Sequence, residues 1–355
     1  MNRSEPDSDS DEDEPSQLSP VWANSLSKSL GPVPNLEEHV RPDWWKKIFN
    51  AMYLKTDGDV VDDPNITRKE VDLFARLLNL SPHEKILDLA CGQGRHVLEL
   101  SRRGFTNAEG FDFSSFLIRK AKRDARDECL PAKFQQGDAR KLPYPNDTFD
   151  VITILGNSFG YFESAQDDFK VLKEVLRILK PSGRLLIDLT NGDYVRKNFD
   201  RRSWEWIDKE YFVCRERELS ADGQRLISRE VITSVNDGVV ADQFYAERLY
   251  SVEGMTKLLK DVGFRNVKAE CELAPESQRN QDLGMMVNRI AFTATVKKEW
   301  TPVKHSTKEH VLHVAVVMGD PNRPDKVKPD ATFDDDDLHT IDEFRNALHD
   351  VPGRE

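Results

Sequence analysis

The chain has 355 residues, of which 38% are hydrophobic, and a formal net charge of -12. This length allows one large domain or two, with enough apolar side chains to build a core. Most of the negative charge lies in two acidic segments, seven residues between Glu5 and Glu14 and the four aspartates at 334–337, so the central body is nearly neutral. Because no extended basic patch stands out, a nucleic-acid partner is not expected.

The four cysteines are widely separated along the chain and form no C-x-x-C pair. That spacing fits a reducing compartment and argues against a zinc site. The N-terminus is acidic and no run of about 18 apolar residues occurs, so neither a secretory signal nor a membrane span is expected. The sequence therefore predicts a soluble protein of the cytoplasm or the nucleus, with no metal and no membrane contact.

Residues 1–38 are rich in Ser, Asp, Glu and Pro. Such a segment buries too little apolar surface to offset the entropy of ordering, so we predict a disordered acidic tail. The folded body is predicted to begin at residue 39. There Trp44, Trp45 and Tyr53 belong to a set of aromatic and apolar residues at helical spacing, which predicts a helix with an aromatic face.

A second helix is predicted to begin at Thr67. Glu70 follows three residues later, which is the pattern of a capping box, in which the two side chains satisfy each other's backbone N–H groups.

The stretch at 84–96, E-K-I-L-D-L-A-C-G-Q-G-R-H, is the most informative in the chain. A short apolar run gives way to small residues and then to a helical pattern, which predicts a strand, a glycine turn and a helix N-terminus. Gly92 and Gly94 let the backbone bend sharply and let a ligand approach the amides. Dinucleotides and S-adenosylmethionine (SAM) both use such a turn, but the third glycine of the dinucleotide fingerprint is Val97 here.

Later strands end in residues that suit the same ligand. Asp112 lies about 20 residues past the glycines, where an acid in a Rossmann-type fold reaches the ribose hydroxyls. Asp138 and Ala139 follow a third strand, and a buried fourth strand leads into G-N-S-F-G-Y-F at 156–162. Strands and helices alternate, as a doubly wound parallel sheet requires, and ligands collect at the carboxyl edge of such a sheet.

The motifs L-D-L-A-C-G-Q-G-R-H, F-D-F-S, G-D-A-R-K-L-P and L-K-P-S-G occur in this order between residues 87 and 183. Over residues 44–296 the chain resembles the class I SAM-dependent methyltransferases, although many members carry glycine where this chain has Ala90. The resemblance implies an α/β, Rossmann-like, doubly wound and mostly parallel seven-stranded sheet, with SAM as cofactor.

The resemblance also assigns roles to residues of this chain. It implies that Asp88 orients the glycine loop and the methionine amino group, that Asp112 binds the ribose, and that Asp138 accepts from the adenine amino group. The full set of implied SAM-binding residues is Asp88, Ala90, Gly92, Gly94, Asp112, Phe113, Asp138, Ala139, Leu155 and Gly156. Asn157 and Tyr161, directly after the fourth strand, are predicted to lie nearest the reacting methyl group and to be catalytic.

About 60 residues, at roughly 195–250, separate the fifth strand from a helix at 252–262. Alternating strands around Asp-Gly turns at 222–223 and 237–238 predict an inserted antiparallel sheet. Small-molecule methyltransferases commonly carry such a sheet as a lid over the pocket. Charged side chains on a strand usually form its solvated face, but an arginine facing the pocket would hold a substrate carboxylate bidentately. The predicted substrate residues are Tyr53, Arg215, Arg229, Tyr245 and, in a later polar loop, Arg279.

Residues 299–355 resemble the opening of an ATP-grasp ligase of the D-alanine-D-alanine ligase type, without the downstream nucleotide and magnesium residues. An unrelated tail strand that docks on the body is the alternative. Either form leaves an apolar strand to be covered by the body, by self-association or by a protein partner.

The predicted function is methyl transfer from SAM to a nitrogen or oxygen atom of a small molecule, in one version a carboxylate-bearing one. Two alternatives stay open at this point. The acidic tail suggests a protein methyltransferase or a methyltransferase-like regulatory partner in the nucleus, and a catalytically silent SAM-binding module would keep the same fold.

Overall fold

The computed structural model of the protein describes residues 29–273, 284–286 and 288–298. Arg279, the acidic segment at 1–28 and the fragment at 299–355 lie outside the described residues. No helix in the described part of the chain is both long and apolar enough to cross a bilayer.

Eleven strands occur in the described residues, and they form two separate sheets. In chain order the strands are β1 Ile86–Leu89, β2 Ala108–Asp112, β3 Lys133–Gln136, β4 Phe149–Ile154, β5 Leu179–Thr190, β6 Arg202–Trp206, β7 Tyr211–Leu219, β8 Arg225–Ser234, β9 Gly238–Arg248, β10 Arg265–Leu273 and β11 Arg289–Thr295.

The helices come before and between these strands. They are α1 Ala51–Thr56, α2 Gly58–Val61, α3 Pro64–Leu78, α4 Arg95–Arg102, α5 Ser115–Asp127, α6 Ala165–Ile178, α7 Gly192–Asn198 and α8 Val252–Val262, with short 3-10 turns at Glu37–His39, Trp44–Lys46 and Gly284–Met286.

The central sheet has seven strands in the order β10-β11-β5-β4-β1-β2-β3. The five strands from β5 to β3 run parallel, and β11 joins β5 antiparallel. Helices cover both faces, which is why all four residues of β1 are buried. Leu87 faces a cluster with Leu172 of α6 and Leu259 of α8, whereas Ile86 faces Val97 of α4 on the other side. The predicted doubly wound sheet is confirmed.

The second sheet is a four-stranded antiparallel meander, β6-β7-β8-β9, inserted between α7 and α8. Its last two turns contain the predicted Asp-Gly pairs, with φ of +67° at Gly223 and +76° at Gly238. Glycine favours this left-handed region because a Cβ is strained there. The prediction of an inserted antiparallel sheet is therefore confirmed.

Residues 30–40 lie on the face of the antiparallel sheet that is turned away from the pocket. Leu36 is buried against Ile227 and Ala246, and the backbone N–H of Leu30 donates to Asp242 Oδ2 across 3.0 Å. The prediction of disorder through residue 38 is therefore wrong for residues 30–38. The cause is long-range burial of Leu36 on strands about 190 residues further along the chain, which composition alone does not reveal.

Two predicted helices have different bounds in the structure. The aromatic stretch forms a 3-10 turn at Trp44–Lys46 and then α1, which Asn50 caps by accepting from the Met52 N–H across 2.8 Å. Helix α3 begins at Pro64, not at Thr67, because Asp63 caps it and proline suits the first helical position. The capping-box prediction is wrong.

Candidate active site

The glycine loop after β1 lies at the carboxyl edge of the parallel strands. Ala90, Gly92 and Gly94 all have positive φ, at +60°, +57° and +80°. A Cβ built on Gly94 would lie 2.5 Å from the Phe134 ring, whereas one on Gly92 would meet only Leu117 Cδ1, at 3.8 Å. Gly94 therefore serves close packing of α4 on the sheet, and Gly92 borders open space.

That space is a cavity with an empty volume of about 840 Å³, called here the cofactor chamber. Six of the predicted SAM-binding residues line it, namely Ala90, Gly92, Asp112, Phe113, Asp138 and Ala139.

Four predicted SAM-binding residues do not line this chamber. Gly94 packs on Phe134, and Leu155 belongs to an apolar cluster with Val97 of α4. Gly156 faces a neighbouring cavity, and Asp88 is buried beneath the loop. Leu155 differs from the prediction because the chain turns after β4, which directs this side chain into the core instead of the pocket.

Asp112 holds the loop and still faces the cofactor chamber. Its Oδ2 accepts from the Gly92 N–H across 2.9 Å, and its Oδ1 accepts from the Ser114 N–H across 2.7 Å. Burial raises the pKa of this carboxyl. Each oxygen retains acceptor capacity for one further hydrogen bond, so the pair can receive two neighbouring hydroxyls.

Asp138 forms an ion pair with Arg140, which lies two residues later in the chain. Arg140 Nη2 lies 2.6 Å from Asp138 Oδ2, and the Arg140 N–H donates to Oδ1 across 2.9 Å. The guanidinium stacks 4.6 Å from the centroid of Phe162 and 5.5 Å from that of Trp45, both of which line the chamber. The predicted bond from an adenine amino group to Asp138 therefore competes with an ion pair already made.

Asp88 belongs to a buried group of charges. Its Oδ1 accepts from Thr153 across 2.8 Å, and its Oδ2 lies 3.7 Å from His96 Nδ1. His96 Nε2 lies 2.9 Å from Glu70. Burial lowers the pKa of His96, but the carboxyls of Asp88 and Glu70 outweigh this effect and raise it.

Arg289 continues this group toward β5. It bonds Glu70 Oε1 across 2.5 Å and both oxygens of Asp188, at 2.7 and 2.8 Å. Asp188 Oδ1 also accepts from the Asn157 N–H across 3.1 Å. The buried charges thus extend from the motif strand β1 to the loop after β4, a connection that sequence spacing does not show.

A second cavity, with an empty volume of about 930 Å³, adjoins the first and is called here the acceptor chamber. The two share Phe49, Tyr53, Ser158 and Tyr161 as lining residues. The wall formed by the antiparallel sheet consists of Arg215, Arg217, Glu230, Gln243, Tyr245 and Glu247. Among the predicted residues, Tyr53, Asn157, Tyr161, Arg215 and Tyr245 all line this chamber.

Arg229, predicted to bind substrate, is on the opposite face of the antiparallel sheet. It pairs with Asp242, at 2.7 Å, and donates to Gly31 O across 2.7 Å. Side chains alternate between the two faces of a strand, so Glu230 faces the chamber and Arg229 cannot. The prediction for Arg229 is wrong.

Asn157, predicted to be catalytic, is buried, and both its side-chain oxygen and its side-chain nitrogen form hydrogen bonds. Its Nδ2 donates to Glu247 Oε2 across 3.0 Å, while its Oδ1 accepts from the Thr190 N–H across 2.9 Å. The Tyr161 hydroxyl donates to its carbonyl oxygen across 2.5 Å. Asn157 therefore holds Glu247 in one orientation.

Glu247 is a buried acidic residue on the lining of the acceptor chamber that the sequence analysis did not single out. Burial raises its pKa to about 8, against the opposing effects of the Asn157 bond and of Arg217. The signal was present in F-Y-A-E-R, because the two-residue period places Glu247 on the same face as the predicted Tyr245.

Arg215 forms ion pairs with two carboxylates. Its Nη1 lies 2.5 Å from Glu205 Oε1, and its Nε lies 2.8 Å from Glu230 Oε2. A guanidinium paired twice is poorly placed to clamp a substrate carboxylate. Over the residues that the structure describes, no group of three or more His, Cys, Asp or Glu side chains could hold a metal ion.

Comparison with known proteins agrees with this geometry. Residues 86–183 match the family model described as a methyltransferase domain. The structure of a SAM-dependent methyltransferase from Clostridium acetobutylicum ATCC 824 aligns with a TM-score of 0.55 at 22% identity, covering 70% of this chain and 97% of that one. The chain therefore carries a methyltransferase domain at residues 86–183, and its fold is similar to that of a SAM-dependent methyltransferase.

Two relatives indicate how far the similarity extends. The putative methyltransferase YqeM of Bacillus subtilis is 27% identical over 210 residues, covering 58% of this chain and 84% of that protein. A demethylmenaquinone methyltransferase of Streptomyces avermitilis is 38% identical over 122 residues, covering 34% of this chain and 48% of that protein. The methyltransferase chain thus spans about half the length of the second relative.

SAM is the cofactor of this methyltransferase domain, and the cofactor chamber fits it. Space borders Gly92 where a side chain would otherwise project, and Asp112 offers two acceptor oxygens for a ribose. The rings of Trp45 and Phe113, which meet edge to face with centroids 4.7 Å apart, supply apolar surface for a base.

Proposed function

We propose that this methyltransferase transfers the methyl group of SAM to a nitrogen or oxygen atom of a small molecule, with Glu247 as the general base. The observation that carries the proposal is the Glu247 carboxyl, buried in the acceptor chamber and oriented by Asn157. An ammonium or hydroxyl acceptor must lose a proton on methylation, which a positioned base can take up.

When bound, SAM supplies a methyl group that is already activated by its positively charged sulfur. The protein's task is therefore to position the acceptor and to exclude water. Phe49, Tyr53 and Tyr161 stand where the two chambers meet, and they would shield the reacting atoms. A carboxyl whose pKa lies near the working pH can take up the acceptor's proton efficiently.

The walls of the acceptor chamber favour a polar small molecule. Charged side chains such as Asp57, Arg217 and Glu230 line it, which suits neither a long apolar tail nor a flat quinone. Arg215 and Arg217 both line the chamber and would face a substrate carboxylate, although Arg215 is paired with two glutamates and Arg217 donates to Asp200 O and Ser203 Oγ. Arg279, in the same role, remains a prediction.

The proposal is tested with radiolabelled SAM and the full chain. Small-metabolite and protein fractions are offered separately, and we expect label in the metabolite fraction. Label in the protein fraction alone would support the protein methyltransferase alternative instead.

With the acceptor found, Glu247→Gln should lower kcat/KM by about 100-fold to 10,000-fold, the usual contribution of a general base. SAM affinity should stay within twofold. The matched control is Glu128→Gln, because Glu128 forms a surface pair with Arg102 away from both chambers. Equal activity of the two variants would remove Glu247 from the mechanism.

A further inference from the structure

The antiparallel sheet has an outer face, turned away from the acceptor chamber, and residues 30–40 cover one end of it. On β8 the side chains of this face alternate with those of the chamber wall, so Ile227 and Arg229 belong to the outer face. Both are buried, at 0% and 3% exposure, and Leu36 packs on Ile227. Val231, the next residue of β8 on this face, is only half-buried. The cover thus becomes thinner beyond Arg229.

A row of four side chains crosses the outer face at this point. Trp204 on β6 lies opposite Cys214 on β7, and Cys214 lies opposite Val231 on β8. Val231 in turn lies opposite Asp242 on β9. Directly opposite residues on antiparallel strands share a face, so the first three members form one apolar surface. Trp204, at its far end, is 67% exposed. A contiguous apolar surface with an exposed indole is typical of a contact site.

The segment that covers this face runs toward the row. Between Leu36 and Leu30 it follows β8 and β9 and arrives at Asp242, whose Oδ2 accepts from the Leu30 N–H across 3.0 Å. Leu30 therefore lies at one end of the row. Three strand spacings separate Asp242 from Trp204, which amounts to about 14 Å. Residues 18–28 reach up to about 36 Å when extended, so they are long enough to cross the row.

We propose that residues 18–28 dock on the outer face and cover Trp204, with Trp22 and Leu26 as their main apolar contacts. The segment reads L-S-P-V-W-A-N-S-L-S-K, which contains four large apolar side chains. It continues directly into residues 30–40, which bind the same face, so docking adds no loop-closure cost. The outer face is then a binding site for the chain's own N-terminal segment.

The test is a disulfide bond between this segment and Cys214, formed in the full chain. Asn24→Cys places a thiol in the segment, and Cys129→Ser removes an exposed thiol elsewhere. Oxidised glutathione is added at mildly alkaline pH, because burial raises the pKa of the Cys214 thiol. Mass spectrometry of peptides identifies the bond. We expect the new thiol to join Cys214 of the same chain, and no bond to Cys214 would overturn the proposal.

The matched control keeps the length of chain between the two thiols unchanged. It carries Trp22→Ser and Leu26→Ser in addition to Asn24→Cys. Docking raises the effective concentration of the thiol, so the bond should form about tenfold or more faster without these two serines. Trp204→Ser, on the other side of the contact, should slow the bond to a similar extent. Equal rates in the three chains would show that the segment does not dock on Trp204.

A second copy of the chain is the other candidate occupant of this surface, and it gives a different product. Non-reducing gels would then show a covalent dimer, formed faster at higher protein concentration. That result would overturn the proposal. A crosslinked monomer, formed at a rate independent of protein concentration, would support docking within one chain.

Discussion

The Asn157 amide donates to the Glu247 carboxyl across 3.0 Å, and these residues are 90 positions apart. The bond joins the loop after β4 to the last strand of the antiparallel sheet. Asn157 is fixed in turn by Asp188 and by the Thr190 N–H, so the central sheet sets where Glu247 stands. A carboxyl held this way keeps its position while its protonation state changes.

Glu247 makes stability depend on pH. Its pKa in the folded chain is raised from 4.5 to about 8. A carboxyl whose pKa is higher in the folded chain than in the unfolded chain stabilises the folded state while it is protonated. Its contribution to the free energy of unfolding is complete below pH 4.5 and is lost as pH rises through 8. The slope within this window is about 1.4 kcal/mol per pH unit before other groups are counted.

Urea unfolding of the wild type and of Glu247→Gln across pH 5 to 8 measures this effect. The difference in unfolding free energy between the two should shift in favour of the variant as pH rises. Burial is the main cause of the raised pKa, and of the charged groups that face Glu247, Arg217 lowers this pKa and Asp57 raises it. A pH-independent difference would contradict the raised pKa.

Asp112→Ala should weaken SAM binding. The change removes charge-assisted hydrogen bonds to ribose hydroxyls worth about 1.5 to 3 kcal/mol. That loss corresponds to roughly a tenfold to hundredfold lower affinity. Calorimetry with SAM gives the value, and circular dichroism confirms the fold. Asp124→Ala, on the surface of α5, is the control. A loss below twofold would assign the ribose to another residue.

Valine substitutions at Gly92 and Gly94 should have different effects, the first on SAM binding and the second on the stability of the fold. Gly92→Val projects a side chain into the cofactor chamber and should abolish SAM binding, with a backbone penalty of about 1 to 2 kcal/mol from its positive φ. Gly94→Val must displace the Phe134 ring and should unfold the chain at lower temperature. Thermal melts and calorimetry distinguish the two, and identical profiles would contradict the separate roles.

Arg289→Met should destabilise the fold by about 3 to 5 kcal/mol, because it leaves Asp188 buried without its arginine and removes one of the cations that pair with Glu70, which keeps Arg95. Urea unfolding measures the change. The control is Arg102→Met, whose exposed pair with Glu128 should contribute no more than about 1 kcal/mol. Similar losses in both variants would show that the buried pairs add no special stability.

Much of the fold follows from local patterns. The glycine turn, the strand and helix order and the Asp-Gly turns all appear in the structure where they were predicted. Each depends on residues close together in the chain, whose backbone preferences act locally. The helix starts were less predictable, since Thr67 and Asp63 both suit a cap, and α3 begins after Asp63 with Pro64 at its first position.

The sequence by itself determined that a SAM-type loop at Gly92 and an acid at Asp112 would meet, because both lie at carboxyl ends of adjacent parallel strands. Only the tertiary structure decided which side chains form the acceptor chamber. Arg215 faces it and Arg229 does not, because strand register and twist fix each face. The Glu247 pKa is likewise a tertiary property, since burial among residues far apart in the chain raises it.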